Sequence, residues 1–178
     1  MTAKAPADVY PALQATLESY IAALDRYTDE QFAQKPAEDV WSLGQMYEHL
    51  YTGATFFFMA NIRRCLERRK GQEGGELNEY GRNLYKYNGF PPIKIKIPEV
   101  LRGPEPVAKS REDYKSLFAG ILTQARAFIE PVTEDDGTYK TLQPAFGYMT
   151  AREWYHLMEM HFRHHLRQQK ELEVLSKV

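Results

Sequence analysis

Apolar side chains recur every three or four residues in four long stretches of the chain, which is the spacing of an amphipathic helix. The second stretch is apolar on more than one face, so we expect it to be central or to form part of a subunit interface. The pattern predicts an all-α protein, a four-helix bundle. Its helices are predicted at about Ala7 to Tyr27, Ser42 to Lys70, Ser110 to Glu130 and Thr150 to Ser176.

The starts of these elements carry a shared signal. A hydroxyl residue stands three positions before an amide or acidic residue at each of four points, which is the spacing of a capping box. Three of these hydroxyl residues stand at the start of long predicted helices: Ser42, Ser110 and Thr150. The fourth, Thr28, precedes a short helical turn.

Residues 71–109 differ from the rest because they are rich in Gly and Pro. Only Ile93 to Ile97 alternates between apolar and charged residues, which predicts a short extended piece. We expect a long connection between the second and third bundle helices, either a plain crossover or a lid that contacts substrate. The whole chain, 1–178, is predicted to be one domain.

Composition narrows the class of protein. Lys and Arg number 23 against 24 Asp and Glu, and this balance argues against nucleic acid, which basic surfaces bind. The single cysteine, Cys65, cannot form an intrachain disulfide and is expected to be a small buried residue. No signal peptide or membrane span is recognisable. We expect a soluble, cytoplasmic protein that binds neither nucleic acid nor membrane.

The histidines are unevenly distributed, since four of the five lie in the last predicted helix. On a helical wheel His161 and His165 are neighbours within its apolar stripe, and His164 lies at the edge of that stripe. His156 is predicted to point to the opposite side, toward solvent or a partner subunit. His49 lies at the edge of the apolar region of the second helix. The stripe also carries Trp154, Met158 and Leu172.

Burying imidazoles in an apolar stripe is costly unless each finds a partner, and no Asp or Glu lies in the same stripe. A divalent metal is one solution, because neutral imidazole is a common ligand. The other is ordinary hydrogen bonding to carbonyl groups or water, and the pattern alone leaves both open. Three histidines from two helices would leave a coordination position for water or substrate.

Other catalytic patterns are absent from the sequence. Glu153 and His156 have the E-x-x-H spacing of di-iron bundles, but no second copy exists. The chain also lacks the H-E-x-x-H, G-x-S-x-G, P-loop and G-x-G-x-x-G motifs.

Two segments resemble a known family. The segment from Trp41 to Leu50, W-S-L-G-Q-M-Y-E-H-L, is similar to the opening of the second helix in the DinB/YfiT-like four-helix-bundle superfamily. The segment from Pro144, P-A-F-G-Y-M-T-A-R-E-W, followed by H-F-R-H-H-L-R-Q from His161, resembles the uncharacterised DUF1569-type branch. That branch commonly has His or Asn where this chain has Gln143.

The resemblance implies a homodimeric bundle in which His49, His161 and His165 bind a divalent metal. Characterised members of this superfamily include metal-dependent enzymes that act with low-molecular-weight thiols, as transferases or isomerases, and other members have no known activity. We therefore expect a metal-dependent transferase or hydrolase acting on a small molecule, with zinc or nickel, or else iron. The alternative is a non-catalytic, metal-binding or stress-associated bundle that acts through protein contacts. Gln168 is expected to hydrogen-bond to the histidines; candidate substrate contacts are Arg63, Arg64, His164 and Lys and Tyr residues of the long connection.

Overall fold

Four long helical segments form the bundle in the computed structural model, which describes residues 2–91 and 105–178. The first segment packs against the third and fourth, and the second packs against the fourth. This arrangement confirms the four-helix bundle. The segments are α1 (Pro6–Leu24); α3 (Leu43–Thr52), a π-helix (Gly53–Phe58) and α4 (Met59–Leu66) in succession; α6 (Arg111–Ala127); and α8 (Ala151–Leu175).

The capping signals are confirmed at all four predicted positions. Ser42, Ser110 and Thr150 cap α3, α6 and α8, and Thr28 caps a short helix, α2 (Asp29–Ala33). In each case the hydroxyl accepts from the backbone N–H three residues later, and that residue's side chain accepts from the cap's own N–H. A cap of this kind stabilises a helix by about 1 kcal/mol.

The second bundle segment is not the uninterrupted α-helix that the sequence predicts. The π-helix lies in its middle, and the segment ends at Leu66 instead of near Lys70. Buried residues recur here every four positions, and each such step turns the side chain by about 40° on an α-helix. The wider π turn compensates for this drift and keeps one face toward the core. The buried residues concerned are Met46, Leu50, Ala54, Phe58 and Ile62.

The long connection contains regular structure that the sequence analysis missed. Its described part includes β1 (Gln72–Glu73) and α5 (Glu79–Lys86). Strand β1 pairs antiparallel with β2 (Tyr139–Gln143), which in turn pairs with β3 (Gly147–Met149). Strands β2 and β3, together with α7 (Ile129–Glu134), lie between α6 and α8 in the chain, whereas β1 belongs to the long connection. The predicted extended piece at Ile93 to Ile97 lies outside the described residues.

The core is rich in aromatic side chains. Rings of Tyr20, Tyr47 and Phe118 lie against one another with centroids 5.3 to 6.1 Å apart. The thiol of Cys65 is fully buried, as expected. Among the described residues, no helix is long and apolar enough to cross a bilayer.

Candidate metal centre

Two bundle segments bring three histidines together. His49 lies near the end of α3, two turns after the cap at Ser42, and His161 and His165 lie one turn apart in the middle of α8. Each of the three is half-buried. Since α3 packs against α8, the two helices present their histidines to the same space.

The rotation of α8 is fixed by buried hydrogen bonds that the sequence does not reveal. The Tyr20 hydroxyl donates to the carbonyl of Phe162 at 3.0 Å, and the Trp154 indole N–H donates to the Thr141 hydroxyl at 2.8 Å. One bond links α8 to α1 and the other links it to β2. Together they hold the histidine face of α8 toward α3.

The three imidazoles form a tight cluster. The Nε2 atoms of His49 and His161 are 3.2 Å apart, and one ring nitrogen from each of the three histidines lies within 4.8 Å of the others. Two nitrogens bound to one tetrahedral zinc at about 2.0–2.1 Å would lie roughly 3.3 Å apart. The observed separation fits that arrangement.

Burial and mutual repulsion keep the cluster uncharged. Burial lowers the pKa of His49 and lowers that of His165 to about 3, with His49 adding to the effect on His165. Burial, then the neighbouring His165 and His49, holds the pKa of His161 well below its usual range. Neutral imidazole is the form that binds metals, so the ligand lone pairs are available at neutral pH.

Two aromatic rings contribute to this burial. The Trp41 ring lies 5.2 Å from that of His49, and the Phe58 ring lies 5.0 Å from that of His161. Sequence reasoning gave neither residue a part in the site, although Trp41 stands in the motif that carries the resemblance. Their effect is to shield the imidazoles from water, which penalises the protonated ring.

The Nδ1 atoms of the two α8 histidines differ in their hydrogen bonding. His165 Nδ1 is 2.6 Å from the Gln168 side-chain oxygen, as the sequence analysis expected. The buried Nδ1 of His161 has no hydrogen-bond partner in the described part of the chain. A buried unsatisfied nitrogen costs about 1–3 kcal/mol. The proximity of the three ring nitrogens fits a transition metal, and within residues 2–91 and 105–178 no further His, Cys, Asp or Glu joins the cluster.

One histidine prediction is wrong. His156 does not face solvent or a partner subunit; it is buried between α8, the N-terminal segment and the end of α5. Its Nδ1 accepts from the Lys4 backbone N–H at 3.2 Å, and its Nε2 lies 2.9 Å from the Asn88 side-chain oxygen. The helical wheel failed because it considers one helix alone, whereas these partners come from distant segments.

The residues predicted to contact substrate lie in different surroundings. His164 is exposed, and its ring lies 5.4 Å from that of His165 and 5.1 Å from that of Phe90. Arg63 donates to the side chain of Gln124, and Arg64 donates to that of Asn61. Of the candidate Lys and Tyr contacts of the long connection, Lys94 and Lys96 lie outside the described part.

Gln143 has a structural role at the end of β2. Its side-chain oxygen accepts from the backbone N–H groups of Ala145 and Phe146. The side chain thereby closes the turn between β2 and β3. Gln143 therefore stabilises this turn.

Comparisons with known proteins agree with this architecture. The sequence model of the DinB superfamily matches residues 12–169. Among solved structures, YfiT from Bacillus subtilis superposes with a TM-score of 0.62 at 14% identity, over 94% of this chain and 85% of YfiT. YfiT is described as a probable metal-dependent hydrolase with an unusual four-helix bundle topology. No curated protein matches this chain.

Proposed function

The chain belongs to the DinB superfamily, and from this premise we propose that it is a metal-dependent enzyme acting on a small molecule. His49, His161 and His165 would hold the metal, and the reaction would be a hydrolysis or a thiol-dependent group transfer. Within the superfamily, the P-A-F-G-Y-M-T-A-R-E-W segment and the H-F-R-H-H-L-R-Q segment favour the DUF1569-type branch.

The observation that carries the proposal is the convergence of three neutral ring nitrogens without a fourth ligand in the described part of the chain. Structural zinc sites are closed by four protein ligands, whereas catalytic sites combine three protein ligands with an open position. A histidine triad of this kind therefore favours catalysis over a purely structural metal. Imidazole ligands accept zinc, nickel, iron and copper; of these we propose zinc or nickel, with iron as the next candidate.

The metal would supply Lewis-acid chemistry at its open coordination position. The chain's own residues contribute orientation and exclusion of water. Gln168 holds the His165 ring, and Trp41 and Phe58 shield the imidazoles of His49 and His161. His164 is exposed beside His165 and is the residue we propose to contact the substrate.

Hydrolysis and thiol-dependent transfer are each supported by a different observation. Hydrolysis is supported by the description of YfiT, whose fold this chain shares. Thiol-dependent transfer is supported by the family resemblance of the sequence, in which a low-molecular-weight thiol acts as co-substrate. A homodimer in the cytoplasm, without nucleic acid or membrane partners, completes the proposal.

Cobalt substitution tests whether the site is open. Cobalt(II) in a three-histidine site absorbs visible light, and the spectrum changes when a ligand enters the coordination sphere. We expect added acetate to change the spectrum of cobalt bound to the wild-type protein, whereas His161→Ala mixed with equal cobalt should give only the weak spectrum of cobalt free in the same buffer. Parallel assays on ester, amide and thiol-transfer substrates would identify the reaction.

A different result would favour the non-catalytic alternative. If cobalt binds but no thiol, carboxylate or other small ligand alters its spectrum, the site is closed. Together with inactivity in all three assays, this would indicate a structural metal in a bundle that acts through protein contacts.

A further inference from the structure

One ring nitrogen of His165 has a side-chain hydrogen-bond partner. Its Nδ1 lies 2.6 Å from the side-chain oxygen of Gln168, three residues later on α8. By contrast, the buried Nδ1 of His161 lacks a partner in the described part of the chain. The two α8 histidines are thus held in different ways, although they lie one turn apart.

The polarity of this hydrogen bond determines the tautomer of His165. An amide oxygen only accepts, so the Nδ1 of His165 must carry the proton and donate it. The neutral ring then has its lone pair on Nε2. A metal ligand is oriented in this way when its other ring nitrogen is hydrogen-bonded to a fixed acceptor.

We propose that Gln168 is a positioning residue that fixes His165 as the Nδ1–H tautomer and so presents its Nε2 lone pair to the metal. The inference rests on the proposed function, which supplies the metal. The tautomer itself is a property of the chain and exists without metal.

The chemical nature of Gln168 has a second consequence. In many metal sites the acceptor behind a ligand histidine is a carboxylate, which makes the imidazole more basic. Here the acceptor is a neutral amide, and the metal-binding cluster consists of three neutral imidazoles. The ligand set and this acceptor therefore add no negative charge to a bound divalent cation.

The test uses Gln168→Met, which keeps the length of the side chain but removes the acceptor, and Gln168→Glu, which restores an acceptor. Gln14→Met is the matched control, because Gln14 also lies in a helix and its amide bonds a residue on the same helix, Glu18, at 2.8 Å. Nitrogen-15 NMR of the histidine rings in metal-free protein reports the tautomer, and zinc titration reports affinity.

We expect Gln168→Met to lower the Nδ1–H population of His165 and to weaken zinc binding by about 10–100-fold. Gln168→Glu should keep the tautomer and bind zinc at least as tightly as the wild type, and Gln14→Met should change neither property. The proposal is overturned if Gln168→Met retains either the wild-type tautomer or the wild-type affinity.

The two readouts separate this inference from the proposed function. If wild-type protein binds no zinc, nickel or iron, the proposed function is wrong. Gln168 then has no positioning role toward a metal, even if the His165 tautomer depends on it. If zinc binds with equal affinity to the wild type and Gln168→Met, only the role of Gln168 is wrong.

Discussion

At the scale of single residues, burial decides what each histidine does. His161 and His165 could be predicted as a pair because i and i+4 side chains share a helix face. His49 came from the family motif more than from its pattern, since it stands at the edge of its stripe. His156 was misjudged because its partners, Lys4 and Asn88, lie in segments whose contacts no periodicity reveals.

His156 makes a testable contribution to pH dependence. Burial first, then the nearby Lys4 and Arg163, lowers its pKa to about 4, although Glu159 opposes the shift. An unfolded histidine titrates near 6.5, so the unfolded chain takes up this proton first as the pH falls. We therefore expect the folded state to lose stability between about pH 6.5 and 4. Urea unfolding at several pH values should show a shallower loss in His156→Gln than in the wild type.

The difference in pH dependence between the wild type and His156→Gln reports on His156 alone, because the clustered histidines are present in both proteins. Parallel stability curves for the wild type and His156→Gln would show that His156 does not stay neutral in the folded protein.

At the scale of elements, helix starts were predictable and interruptions were not. A capping box is a local signal of four residues, so Ser42 and Thr150 mark their helices unambiguously. The π-helix at Gly53–Phe58 depends on how the segment packs against α8, and sequence spacing cannot distinguish it from an α-helix. The short strands β2 and β3 contain too few residues for alternation to stand out.

The small sheet depends on one glycine. Gly147 has a φ of +94°, and a Cβ there would lie 2.5 Å from the Glu76 carbonyl oxygen and 2.8 Å from the Asn78 nitrogen. Gly147→Ala should therefore lower the free energy of unfolding by on the order of 1–3 kcal/mol. Gly120→Ala is the control in α6, where the Cβ would meet open space, and should stabilise by about 1 kcal/mol. Urea denaturation measures both; equal effects would contradict the close packing at Gly147.

At the scale of the whole molecule, the bundle places its histidines beside an unusual exposed surface. The π-helix, whose last residue Phe58 contacts His161, also carries Phe56, of which 66% is exposed, and Phe57, of which 37% is exposed. Exposed aromatic side chains on one short segment are typical of an interface. The predicted homodimer offers such an interface, although the sequence alone could not show which part of the second segment would form it.

Light scattering after size-exclusion chromatography tests this expectation. We expect the wild type to be a dimer and Phe56→Ser to be a monomer, because the substitution removes apolar contact area between two copies. Tyr80→Ser is a matched control, since Tyr80 is 75% exposed but lies on α5, and it should remain a dimer. A monomeric wild type would contradict the dimer, and a dimeric Phe56→Ser would place the interface elsewhere.

The central claim is that three histidines from two helices bind one metal ion. Elemental analysis of protein purified without a histidine tag tests it directly, with His49→Ala, His161→Ala and His164→Ala compared at equal helicity by circular dichroism. We predict about one equivalent of transition metal in the wild type and in His164→Ala, which lies outside the cluster, and loss of the metal from the other two. A wild-type protein that contains no metal and takes up neither zinc, nickel nor iron would contradict the claim, and the three histidines would then be polar residues of the bundle interior.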